Sequence, residues 1–66
     1  MVDNLSTSRS TEEIDVWRTA NLLIREYGPD ARTQAVYFAS KMLEHRNYDG
    51  YTMWGLVWTA IKVLQD

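Results

Sequence analysis

The pair Gly28-Pro29 does most to limit how this chain can fold. Pro29 is the single proline; it cannot donate to a helical ladder, and it disfavours helical backbone in the residue before it. Gly28 can take the left-handed conformation that closes a helix just past its last turn. The run Tyr27-Gly28-Pro29-Asp30 therefore ends one helix and opens another, because proline suits a first helical turn and Asp30 suits the positive end of the dipole. A second break falls at Asn47. Lys41, His45 and Arg46 precede it as cations suited to a helix C-terminus, and Asp49 follows it as a first-turn anion, so Asn47 reads as an N-cap. Upstream, Ser10 with Glu13 three residues later forms a capping box, and Glu12, Glu13 and Asp15 favour the same helix start.

These signals predict helices over about 11–27, 29–46 and 48–64. Residues 1–9 are polar and without periodicity, as a flexible tail would be, which leaves 10–66 as one domain. No strand alternation or internal repeat competes, so the expected fold is all-α, a compact antiparallel three-helix bundle with short connections.

A chain of 66 residues has little surface to hide: domains of this size bury about 60% of their unfolded area. It has no cysteine, which removes disulfides and thiolate metal sites, and His45 is its one histidine. Dense aromatic packing or association remains as the means of stabilisation. Seven Lys/Arg against nine Asp/Glu give a net charge of -2, which argues against nucleic acid as the main partner. The first residues have no apolar signal region and no stretch reaches the length of a membrane span, so the expectation is a cytoplasmic protein away from the membrane. Nothing resembles a Ser/His/Asp or Cys/His constellation, a carboxylate pair or a phosphate-binding glycine loop. No enzyme activity, cofactor, metal or small-molecule substrate is expected.

Helical periodicity then assigns faces. The first helix gathers Val16, Trp17, Ala20, Leu23, Ile24 and Tyr27; the second gathers Ala31, Ala35, Phe38, Ala39, Met42 and Leu43. The third departs from a simple stripe. Met53, Trp54, Val57, Ala60, Ile61 and Leu64 form the core face, while Tyr51 and Trp58 widen it on one side and Leu56 and Val63 on the other. The apolar arc covers about 240° of the circumference, more than two neighbouring helices can cover.

Trp17 and Trp54 read as core residues and Asn21 as a partly buried amide serving backbone groups. Tyr51 and Trp58, seven residues apart, are candidates for partner recognition; Leu56 and Val63, with Leu22 of the first helix, are candidates for a self-association seam. His45 beside Glu44 and Asp49 reads as a helix-terminal cation, and Gly50 and Gly55 call for close helix contact or a distorted first turn. Arg18, Arg25, Arg32 and Lys41 would be the phosphate contacts of an alternative nucleic-acid reading; they alternate with acids and form no single basic helix.

The segments VWRTANLLIREYGPDA, AVYFASKMLE and GYTMWGLVWTAIKVLQ resemble a group of short bacterial proteins without an assigned activity. The resemblance rests on Trp17, Asn21, Gly28, Asp30 and Trp54 at their spacings and covers residues 14–65. It implies a bacterial helical domain and assigns no functional residue. The chain reads as a noncatalytic helical protein that binds protein, itself or another polypeptide, through the third helix.

Overall fold

The computed structural model describes the backbone of residues 2–66 and the side chains of residues 15–66. Helix α1 spans Val2–Tyr27, a 3-10 turn follows over Gly28–Asp30, then α2 over Ala31–Glu44 and α3 over Tyr48–Gln65. All regular structure among the described residues is helical. Helix α1 thus starts at Val2 instead of near residue 11, and its backbone takes in most of the span expected as a tail over 1–9; the side chains of that span and of the Ser10–Glu13 capping box lie outside those described.

Gly28 closes α1 with φ +55°, in the left-handed region a glycine reaches without a Cβ penalty. Pro29 sits in the first positions of the 3-10 turn, where a missing N–H costs nothing. Regular α-helix resumes only at Ala31, two residues later than predicted from the proline. Gln65 secures this corner from the far end of α3: its side-chain amide donates to the Gly28 carbonyl at 2.9 Å.

The α2–α3 corner departs from expectation at Arg46. Predicted within the last turn of α2, it lies outside the helix with φ 58°. Two backbone bonds account for this: the N–H of Arg46 donates to the Leu43 carbonyl at 2.9 Å and that of Asn47 to the Met42 carbonyl at 2.8 Å. This is the Schellman pattern, in which the residue after the cap must be left-handed. Asn47 then caps α3, its Oδ1 accepting from Gly50 N–H at 2.9 Å. Its Nδ2 reaches Met42 Sδ at 3.4 Å, so one residue closes α2 and opens α3.

Helix α3 packs against both others, most extensively against α2. The core consists of Ala20 and Leu23 of α1, Ala31 and Ala35 of α2, and Val57, Ala60 and Ile61 of α3. Four of these seven are alanines, which let helices approach closely but remove little apolar area from water. Val16, Ile24, Phe38, Trp54 and Trp58 pack around them half-buried, with Phe38 and Trp54 stacked at 4.7 Å between ring centroids.

Several residues predicted for the core are exposed instead. Trp17 is 43% exposed because α1 meets its neighbours through Ala20 and Leu23, and Trp17 lies on the margin of that narrow strip. Tyr27, Leu43 and Leu64, each at or next to the last residue of its helix, are also exposed, as is Met53 in the second turn of α3. Asn21 is exposed rather than partly buried. It does serve the backbone, its Nδ2 donating to the Trp17 carbonyl at 3.1 Å.

Candidate functional site

The outer flank of α3 carries Leu56 and Val63, 51% and 60% exposed, the first next to the buried Val57 in sequence and the second one turn past the buried Ala60. Leu22, also exposed, is not brought to them. It shares a hollow on α1 with Trp17, Arg18, Asn21 and Arg25, on the side turned away from Ala20 and Leu23. The three-residue seam read from sequence is thus two separate surfaces.

On the opposite flank Tyr51 and Trp58 do come together, at the wall of a cleft of about 520 Å³ between α2 and α3. Tyr51 is exposed, whereas Trp58 is half-buried and packs on the core as well. The α2 side of this cleft is formed by Val36, Ala39, Ser40 and Leu43, with Gly55 of α3 facing them; periodicity places Ala39 and Leu43 on the core face and assigns Val36 and Ser40 to none. A signal for it was present. Val36, Ala39 and Leu43 continue upstream to Arg32, and Tyr51, Gly55 and Trp58 continue downstream to Lys62, both at spacings i, i+4, i+7, i+11 or their equivalent from one end.

Gly50 and Gly55 differ in what surrounds them. A Cβ at Gly50 would stand 2.6 Å from Met42 Sδ, so close α2–α3 contact explains that glycine. At Gly55, apart from its two neighbours and the surrounding backbone of α3 itself, no atom lies within 4 Å of the same position. Thr59 one turn on donates its hydroxyl to the Gly55 carbonyl at 3.1 Å.

None of the cleft-lining residues is charged. Charge begins at one end, where α2 starts and α3 finishes. Arg32 lines a hollow with Pro29, Thr33, Val36 and Trp58, and Lys62 Nζ stands 5.7 Å from the centre of the Trp58 ring. Lys41 lies elsewhere on α2, 3.8 Å from Glu44 and 5.4 Å from the Tyr37 ring centre. The four basic residues considered for nucleic acid therefore fall in three places: Arg18 with Arg25, Arg32, and Lys41. Among the described residues no three metal-ligating side chains cluster, and no helix is long and apolar enough to cross a membrane. No family model, curated protein or solved structure matches the chain.

Proposed function

We propose that this chain is a noncatalytic antiparallel three-helix bundle of the bacterial cytoplasm that acts by binding protein, either a second copy or another polypeptide. The observation that carries the reading is the division of α3. It supplies three of the seven core residues yet leaves Tyr51, Leu56 and Val63 about half exposed or more. Covering such side chains is worth about 25 cal/mol per Å² of apolar surface, a large return for a domain whose largest fully buried side chains are Ile61 and Val57. Its place would be that of a regulator, adaptor or inhibitor. Nucleic acid is the weaker reading, since its four basic residues lie in three separate places and one of them is paired with Glu44.

Sedimentation velocity across about two decades of concentration, with a pull-down from cells expressing the tagged chain, tests this. Wild type is expected to show concentration-dependent mass or to retain a protein that Leu56→Lys or Trp58→Ala releases. A strict monomer whose retained proteins are the same in all three forms refutes it.

A further inference from the structure

We propose that the α2–α3 cleft seats an amphipathic helix of another polypeptide, one that presents apolar residues to the cleft and an acidic residue at the end beside Arg32 and Lys62. This rests on the protein-binding reading and names the partner's chemistry. The α2 strip from Arg32 to Leu43 and the α3 strip from Tyr51 to Lys62 each run about three helical turns, roughly 16 Å, which matches three apolar positions of a docked helix. Ala39 and Gly55 stand midway along the cleft, and the open space around Gly55 admits a backbone at close range. Val36 and Leu43, each about half exposed, and Trp54 and Trp58 supply the apolar walls. Two packed helices of these lengths present a face of about 20 by 20 Å, about 400 Å², half of the about 800 Å² per partner of a standard interface and in the range of a transient one.

Charge selects the occupant. The cleft is uncharged along its lining; Arg32 and Lys62 flank one end, with Asp66 one turn beyond Lys62, and among the described residues neither cation has an acid within ion-pair distance. A second copy meets this badly. Paired in parallel, two clefts set Arg32 and Lys62 against their counterparts; paired antiparallel, these cations face the Leu43 and Tyr51 end, where the neighbouring acid Glu44 lies 3.8 Å from Lys41 of its own chain and lines no part of the cleft. A helix with an acid at that end satisfies both cations at the rim and leaves the apolar walls to its other residues.

Three synthetic 16-residue helical peptides with one leucine stripe test the proposal: one with two glutamates at its amino end, one with them at its carboxyl end, and one with lysines at both ends. Titrated into the full chain at low salt and followed by tryptophan fluorescence, at least one glutamate peptide is expected to bind tenfold or more tightly than the lysine peptide. The double variant Arg32→Glu, Lys62→Glu, with its helical circular dichroism intact, is expected to reverse that order. Equal binding of all peptides, or a ranking unchanged by the double variant, overturns the acidic partner. A wild-type dimer that Val36→Glu dissociates overturns it in favour of a second copy in the cleft. No binding of any peptide, while Leu56→Lys still releases a retained protein, overturns the cleft and leaves the broader protein-binding reading standing; if Leu56→Lys also changes nothing, both fall.

Discussion

Two identical substitutions in the same helix are expected to have opposite effects. Gly55 is the eighth residue of α3, and its φ is not positive. Alanine there recovers about 1 kcal/mol of helix propensity. The new Cβ meets no side chain or neighbouring helix within 4 Å beyond its two chain neighbours, so no clash offsets the gain. For a domain this small, about 1 kcal/mol raises the melting temperature by about 4–8 °C. Gly50 lies in the first turn, where propensity counts for less. A Cβ there would stand 2.6 Å from Met42 Sδ and 2.9 Å from Met42 Cγ. Met42 must swing away, which breaks the 3.4 Å contact from Asn47 Nδ2 and loosens the corner that joins α2 to α3. Overpacking of this kind costs about 1–3 kcal/mol, more than the propensity gain. Gly50→Ala should therefore lower the melting temperature while Gly55→Ala raises it, with about 2 kcal/mol between them. Thermal unfolding followed by circular dichroism at 222 nm, at one low protein concentration, reads the difference. Equal midpoints would show that the Met42 contact does not limit the corner. A lowered midpoint for Gly55→Ala would contradict the open space around that residue.

Asn47→Ala removes the cap on Gly50 N–H and the contact to Met42, and should cost about 1 kcal/mol, whereas Asn47→Asp keeps the Oδ1 acceptor, loses only the contact to Met42, and should fall between Asn47→Ala and wild type; urea midpoints separate the three. Arg46→Gly relieves about 1 kcal/mol of left-handed strain at φ 58°, partly offset by the larger backbone entropy of glycine, so its urea midpoint should rise slightly and its m-value should not change.

Punctuation in this chain was readable because its cause is local. Gly28 and Pro29 act through their own φ and their own missing groups, and Asn47 caps a residue three positions away, so the sequence window contains the whole interaction. Arg46 was misplaced for a reason also local but weaker. Composition favoured a cation in the last turn of α2, while the Schellman bonds required one residue outside it. Facing was less legible because periodicity gives the direction of a side chain and says nothing of how wide a strip its neighbours cover. Trp17, Ala20 and Leu23 share a face by angle, yet only the last two are buried. The same limit hid the cleft: Val36 and Ala39 mean little on α2 alone and become a wall only when Tyr51, Gly55 and Trp58 stand opposite.

The alanines connect the small core to the exposed surface. Ala20, Ala31, Ala35 and Ala60 bring three helices together without large side chains between them, so Trp17, Tyr51, Leu56 and Val63 cannot enter a core already closed by their smaller neighbours. Replacing an alanine with a larger residue would push the helices apart at a cost of about 1–3 kcal/mol and would not bring the tryptophan in. The apolar excess of α3 is therefore divided between two faces: the cleft with Tyr51 and Trp58, and the outer flank with Leu56 and Val63. Trp58 belongs to the core and to the cleft together, so Trp58→Ala alone mixes lost stability with lost recognition. Val36 and Leu56 are about half exposed and outside the core, one on each face. A charge at Val36 reports on the cleft and a charge at Leu56 on the flank, and the comparison of those two variants assigns binding to one face or the other without passing through the core.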